Sequence, residues 1–557
     1  MNDIKTIIAD AIKDLFNEQV SVELTRPDPQ FGDFSCNVAL QLAKKMANPP
    51  AGGPREIAQS LAAKIVEDDK VASAEAAGPG FINITLRDQA LWRLANEKPN
   101  KYLDGQTIVA EYSDPNPFKV LHAGHLYTSV VGDAIANLLE NAGAKVHRVN
   151  FGGDVGLHAA KSMWAIIKEL GEESPEKLEA VDESQRPDWL ASRYIEGNEA
   201  YENDDTAKSE IILLNKKIYS LHAENDHDAD FAKIYWTTRQ WSYDYFDGFY
   251  ASIGSHFDKY YPESETAQIG LDEVKSHIPD VFQESDGAVI FDGEKFGLHT
   301  RVFINSEGLP TYETKDVGLS ILKKQDYDFD RSIIMTGNEQ DQYMEVVLKA
   351  IEQFAPDLSR ATTHISHGIV KLQGGVKMSS RKGNFLKAVD VLSSAKDANQ
   401  QQNGSSDQQI SLGAVKYAFL KHRIGGDIIY DPENSVSIHG NSGPYLQYAH
   451  ARARSILEKS ANEPSNPDSE EFDELERTLV QKLSEFSEVI ERSSLDLAPH
   501  YICTYLYELS QTFNRFYEGS KVIGDDREKL RLGLVSRYGD VLQSGLKLLG
   551  IQAPNKV

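Results

Sequence analysis

Two short clusters hold residue types that phosphate chemistry uses. The first is Lys119-Val-Leu-His122-Ala-Gly124-His125. Two imidazoles three residues apart at a helix start can converge on one anion. Gly124 between them lets the backbone approach closely, and the helix N-terminus adds exposed N–H groups and partial positive charge. The segment is a cradle for ATP phosphates or, equally, a pair of exposed loop histidines. A zinc site is disfavoured, because no carboxylate or third histidine follows nearby, so no metal ligands are assigned. The second cluster is Lys377-Met378-Ser379-Ser380-Arg381-Lys382-Gly383-Asn384. Three cations, two hydroxyls and a glycine suit a loop that closes over a polyphosphate. Taken alone, it reads as a solvated basic loop.

The elements around them have a regular order. Residues 107–113 read as a strand. Leu126, Val130, Val131, Ala134, Ile135, Leu138 and Leu139 then make an apolar stripe at helical spacing, which Asn141-Ala142-Gly143 stops. Residues 145–151 read as the next strand. Strand, loop, helix, strand is the unit of a doubly wound parallel sheet, whose ligands sit where strand ends meet helix starts. Residues 157–255 read as charge-rich helices inserted into that sheet. Strand signals return at 287–291 and 301–304. A second βαβ-like stretch follows: strand 331–336, helix 340–354, strand 363–372. The polar run 399–407 reads as a surface loop. From Gly440 onward the periodicity is that of a helical bundle. Ahead of the sheet, 4–16, 37–45 and 56–68 read as helices, 49–54 as a turn-rich break, 81–86 as a strand and 96–104 as a linker.

The expected fold class is therefore multidomain α/β. A small α+β domain spans 1–100 and a Rossmann-like catalytic domain 105–390. A connecting helical region covers 391–439, and an all-α bundle 440–557. At roughly 100–200 residues per domain, the 557 residues fit three to five domains. No apolar run nears the ~18 residues that span a bilayer, so no membrane is expected. The first residues lack the basic start and apolar core of a signal peptide. With only two cysteines, Cys36 and Cys503, a disulfide framework and a cysteine-based zinc site are both disfavoured. A cytoplasmic protein is expected. The net charge of −27 disfavours a nucleic-acid partner only in bulk, since phosphate binding needs local Lys/Arg clusters.

The two clusters in this order resemble the HIGH and KMSKS motifs of class I aminoacyl-tRNA synthetases. The resemblance narrows to arginyl-tRNA synthetases through Glu111-Tyr-Ser-Asp-Pro-Asn-Pro-Phe-Lys119, Val149-Asn-Phe-Gly-Gly-Asp154-Val-Gly156, Tyr312-Glu-Thr-Lys-Asp316 and Gly337-Asn-Glu-Gln340. Near the start, Phe31-Gly-Asp-Phe34 and Gly78-Pro-Gly-Phe-Ile-Asn83 look like that family's N-terminal tRNA-contacting domain. Gly443-Pro-Tyr-Leu-Gln-Tyr-Ala-His-Ala-Arg452 and Phe513-Asn-Arg-Phe-Tyr517 look like its helical anticodon-binding domain.

The resemblance implies ATP-dependent activation of arginine and transfer to the terminal adenosine of tRNA(Arg), with Mg²⁺ accompanying the ATP and the chain working as a monomer. His122, Gly124, His125, Gly337, Lys377, Met378 and Ser379 would bind ATP. His122, His125, Lys377 and Lys119 would act on the transition state, Lys119 compensating for Ser380, which stands where KMSKS has its second lysine. Glu111, Ser113, Asn116, Tyr312, Asp316 and Gln340 would bind arginine. Carboxylates suit a planar cation with five donors, because they accept two parallel hydrogen bonds. Phe81, Asn83, Tyr445 and Tyr448 would face tRNA, the aromatics by stacking on bases or, equally, as packed core rings. The terminal Pro554-Asn-Lys-Val557 departs from the family's usual Arg-Met ending. The alternative is a non-catalytic RNA-binding relative, which retention of His122, His125, Lys377, Glu111 and Asp316 argues against. A cysteinyl enzyme would need zinc ligands that two distant cysteines do not supply.

Overall fold

The computed structural model describes residues 1–373, 386–467 and 471–556. Lys377, Met378, Ser379 and the rest of the second cluster lie outside the described residues, as does Val557.

In the N-terminal module, helices α1 (Asn2–Phe16), α2 (Val38–Lys45), α3 (Gly53–Ile65) and α4 (Asp88–Ala95) surround an antiparallel sheet. Its strands are β1 (Phe34–Cys36), β2 (Val71–Ala77) and β3 (Phe81–Leu86), in the order β1-β3-β2. Ile4, Ile8 and Ile12, one helical turn apart, bury one face of α1.

The central sheet contains β4 (Thr107–Glu111), β5 (Lys145–Gly152), β6 (Lys259–Pro262), β10 (Arg331–Gly337) and β11 (Thr362–His367). All are parallel, in the order β11-β10-β4-β5-β6. Ile108, Val109 and Ala110 are fully buried, the unbroken apolar run of a strand covered on both faces. The chain leaves β4 toward β5 on one side and later returns to β10 on the other. The crevice between the carboxyl ends of β4 and β10 is thus the switch point where such sheets bind ligands. Helix α5 (Ala123–Asn141) starts there.

Between β5 and β6, α6 (Leu157–Leu170), α7 (Arg186–Asn203), α8 (Asp205–Glu224) and α9 (Asp230–Ile253) form a body around their own core of Met163, Ile211, Ile218, Phe231 and Tyr235. Next, α10 (Glu263–Ser276) crosses α11 (Tyr312–Tyr327) at backbone contact. A Cβ on Gly270 would lie 1.9 Å from the Thr314 carbonyl oxygen, and one on Gly318 2.1 Å from that of Thr266. Strands β7 (Gln283–Ser285), β8 (Ala288–Phe291) and β9 (Arg301–Ile304) make a separate antiparallel sheet between these helices. Helices α12 (Asp341–Phe354) and α13 (Pro356–Ala361) lead into β11.

The strand expected over 363–372 is broken. Gly368 and Ile369 divide β11 from β12 (Val370–Leu372), which pairs in parallel with β13 (Ile428–Tyr430) in a different sheet. The backbone of Gly426 and Asp427 crosses Gly368 so closely that a Cβ there would sit 2.3 Å from a main-chain atom. The polar run at 399–407 is also corrected. Residues through Asn403 complete α14 (Ala388–Asn403), and α15 (Gln408–Leu420) follows. After α16 (Pro432–Ser435) come α17 (Gly443–Lys459), α18 (Glu474–Leu483), α19 (Phe486–Leu495), α20 (His500–Gly519) and α21 (Glu528–Leu548).

This last bundle is welded to the N-terminal module. Arg477 pairs with Asp33 at 2.8 Å and also with Asp88, and Arg26 pairs with Glu488 at 2.5 Å. The indole of Trp92 donates to Asn466 at 2.6 Å. The segment beyond α21 is pinned by buried side chains: Lys416 donates to Gly550 O at 2.8 Å and Gln447 to Gln552 O at 2.9 Å. Both cysteines are buried, one in each welded part. Among the described residues, no helix is long and apolar enough to cross a membrane.

Candidate active site at the switch point of the central sheet

The turn from β4 into α5 is conformationally demanding. Ser113, Asp114 and Phe118 have φ of 75°, 49° and 67°, a region L-residues rarely enter. Such strain persists where surroundings over-determine it. Here the Asp114 carboxylate accepts from Phe151 N–H at 2.8 Å, Ser113 Oγ lies 2.7 Å from the Tyr250 hydroxyl, and Ser242 Oγ accepts from Phe118 N–H at 2.9 Å.

His122 caps α5. Its Nδ1 accepts from Gly124 N–H at 3.1 Å and His125 N–H at 3.4 Å, while Nδ1 of His125 accepts from the His122 N–H at 3.1 Å. The rings stack with centroids 3.7 Å apart. Burial, reinforced by Lys119, lowers His122 to about 4, and burial together with His122 holds His125 well below the usual range. Both rings are therefore neutral at pH 7. Because each Nδ1 is an acceptor, each proton sits on Nε2, which becomes the donor atom. A Cβ on Gly124 would meet the His122 ring at 2.8 Å, so the glycine keeps the capping geometry open. Lys119 Nζ lies 4.4 Å from the Tyr194 ring centroid on α7. His367, at the end of β11, lies with Nε2 2.6 Å from Thr128 Oγ1 on α5.

Across the crevice the groups are acidic. Glu111, at the end of β4, is buried and paired through Oε2 with Lys323. Asp316, in the second turn of α11, is half-buried and accepts from the Tyr343 hydroxyl. Burial pushes its carboxyl up to about 8; Tyr343 opposes the shift, while Glu111 and Glu263 add to it. Asp114 is raised well above the carboxylate range by burial and then by Glu111. Glu263 at the start of α10 holds buried Lys315. Asn116 Oδ1 accepts from Gly153 N–H at 2.8 Å. His158, buried and lowered to about 3, lies with Nε2 2.5 Å from Gly153 O. The site thus has a neutral, donor-bearing half beside a half rich in carboxyl groups.

The structure brings Glu111, Ser113, Asn116, Lys119, His122, Gly124, His125, Tyr312, Asp316, Gly337 and Gln340 to this end of the sheet. Tyr312 is exposed at the start of α11, Gln340 is exposed just after β10, and Gly337 ends β10. Phe81 is exposed and Asn83 half-buried on β3, while Tyr445 and Tyr448 are half-buried on α17. Those four are in two other modules. The Tyr445 hydroxyl accepts from Asn514 at 2.9 Å. Sequence reasoning missed Asp114, although it lies within the quoted Glu111–Lys119 block. Glu263, Lys323, Tyr343 and His367 carry no local signal and converge only through the fold. Among the described residues, no group of three or more His, Cys, Asp or Glu side chains is arranged to hold a metal ion.

Three family models match the chain: "Arginyl tRNA synthetase N terminal domain" over residues 2–86, "tRNA synthetases class I (R), catalytic domain" over 89–431, and "DALR anticodon binding domain" over 446–557. An arginine–tRNA ligase of Treponema denticola is 30% identical over 599 residues, covering 99% of each chain. One of Phocaeicola vulgatus is 28% identical, covering 100% of this chain and 99% of its own. In fold, the chain is similar to the arginyl-tRNA synthetase of Thermus thermophilus, with TM-score 0.79, 24% identity and complete coverage of both chains. The Plasmodium falciparum enzyme gives 0.77 at 21% identity, covering 100% and 99%.

Proposed function

The chain belongs to the arginyl-tRNA synthetases of class I and is an arginine–tRNA ligase, and from that premise we propose how its residues divide the work. The substrates are ATP, arginine and tRNA(Arg). The observation that carries the division is the placement of neutral, stacked His122 and His125 across one crevice from the carboxyl groups of Glu111, Asp114 and Asp316.

ATP lies over the start of α5. The Nε2–H groups of His122 and His125 donate to phosphate oxygens, and Gly124 and Gly337 admit the nucleotide's close approach. Lys119 supplies the cation that Ser380 lacks, with Lys377, Met378 and Ser379 completing the nucleotide contacts. Mg²⁺ would travel with the phosphates, since the described residues offer it no carboxylate set there.

Arginine points its guanidinium at Asp316 and at Oε1 of Glu111, with Tyr312 over its plane. Ser113, Asn116 and Gln340 hold the α-amino and carboxylate end. The arginine carboxylate then attacks the α-phosphorus, and positioning with charge stabilisation supplies the catalysis. Lysine, a point charge without a planar fork, fits such carboxylates poorly. Neutral citrulline would leave buried acceptors without partners.

Phe81 and Asn83 from one module, and Tyr445 and Tyr448 from another, face the tRNA at separate points. We place the domain limits near residues 100, 390 and 440, with the inserted helices at 157–255. We place the protein in the cytoplasm, where two buried unpaired cysteines are at home. We propose that the chain works as a monomer.

ATP–pyrophosphate exchange with each amino acid, with and without tRNA(Arg), tests the reading. Arginine alone should support exchange, and exchange with another amino acid would overturn the assignment.

A further inference from the structure

Directly after the second cluster, the chain is stapled to the first. Ala123 N–H donates to Leu386 O at 2.8 Å and Ala388 N–H to Leu121 O at 2.9 Å, making His122 and Lys387 partners in an antiparallel bridge. This is the non-hydrogen-bonded type of pair. In it, opposed side chains rise from the same face with Cα atoms only ~4.5 Å apart. Lys387 therefore starts beside the imidazole assigned to the ATP phosphates. Its ammonium is 2.7 Å from Oδ1 of Asp188, in the first turn of α7, and the pair is exposed. Exposed pairs of this kind are weak. A triphosphate offers a lysine far more negative charge than one carboxylate does. The same helix presents Tyr194 to Lys119, so lysines on both sides of the stacked histidines dock on α7.

We propose that Lys387 is a further catalytic lysine of arginine activation, exchanging Asp188 for β- and γ-phosphate oxygens when ATP binds. The proposal rests on the ATP reading given above. An arginine carboxylate oxygen forms a bond to the α-phosphorus, the bond from the α-phosphorus to the bridging oxygen breaks, and its electron pair leaves on pyrophosphate. Lys387 stays protonated throughout and neutralises the charge arriving on the leaving group. Lys387, just beyond the second cluster in sequence, thus adds a further cation to that of Lys119, and Asp188 keeps it docked between turnovers.

Pyrophosphate exchange in the presence of tRNA(Arg) tests this with Lys387→Met, Lys387→Arg and Asp188→Asn, each checked for an unchanged melting temperature. Lys387→Met should lower kcat and kcat/KM for ATP together by ~10-fold or more, leaving the KM for arginine within about twofold. Lys387→Arg should recover most of that loss. Asp188→Asn, which releases the lysine, should match or exceed wild type in kcat/KM for ATP. If Lys387→Met retains full activity, the proposal is wrong. It is equally wrong if Asp188→Asn loses as much as Lys387→Met, the mark of an ion pair that only braces the fold. Failure of the underlying reading looks different: wild type itself would then catalyse no arginine-dependent exchange, and the proposal would fall with it.

Discussion

With its carboxyl pushed up to about 8, Asp316 is mostly protonated at pH 7 before arginine arrives. The guanidinium stays charged across this range, so it favours the ionised carboxylate and lowers that value on binding. A proton is then released. Between the lowered value and about 8, arginine affinity should rise with pH, and above about 8 it should level off. Calorimetry in buffers of different ionisation enthalpy measures the proton directly; affinity that stays flat from about pH 6 to 8 counts against the assignment. Asp316→Ala should abolish the dependence and weaken arginine by roughly 3–5 kcal/mol, with far less effect on ATP. Lys119 is the second test at this scale. If it acts on the transition state, Lys119→Ala lowers the activation rate constant by more than ~10²-fold with little change in arginine affinity. Near-normal exchange would remove it from the mechanism.

The helices that carry these groups are held at fixed offsets by their smallest residues. Gly270 and Gly318 let α10 and α11 touch backbone to backbone, which brings Glu263 to Lys315 and sets Asp316 opposite Glu111. Gly318→Ala drives a methyl into the Thr266 carbonyl. It should cost about 1–3 kcal/mol of stability and raise the KM for arginine more than that for ATP. Thermal melts and substrate titrations report both, and an unchanged arginine KM would show that α11 tolerates the shift. Elements of this kind differ in how plainly a sequence declares them. β4 and β10 carry unbroken apolar runs and α5 an apolar stripe at helical spacing, and with β5 they were legible. β6 is not, because Lys259-Tyr-Tyr-Pro262 is a short edge strand with no alternation to read. The end of α14 hides for another reason: it is buried through Ala395, Ala398 and Asn399, and a helix that packs small and polar residues resembles a loop. In the site, the histidine segment and the acids of the quoted motifs could be read locally. Tyr343 and Lys323 could not, since their partners are set only by tertiary packing.

At the scale of the whole molecule, a net charge of −27 coexists with a nucleic-acid substrate. Several arginines are spent internally. Arg477 pairs with Asp33 and Asp88, and Arg527 and Arg531 both pair with Glu476. tRNA must therefore meet local clusters of other Lys and Arg side chains on an otherwise repelling surface. Affinity should fall by orders of magnitude between ~50 and ~200 mM salt if about 6–10 phosphates are contacted. Filter binding across that range is the measurement, and a flat response would mean the RNA surface has been misread. The weld ties the N-terminal module directly to the helical bundle, so the two modules that carry the candidate tRNA-facing residues are joined by ion pairs.

The burial of both cysteines opens an experimental route. Cys36 is shielded within the N-terminal module, with its thiol pushed up to about 11, and Cys503 is buried in the helical bundle with its thiol raised further. Neither offers a thiolate to an alkylating dye at neutral pH. The native chain should take up almost no maleimide, whereas the denatured chain should take up two equivalents. A cysteine placed on the surface would then be the sole labelled position without prior removal of the native ones. A pair so placed, one on α7 and one on α18, would turn tRNA docking and nucleotide binding into changes in fluorescence energy transfer.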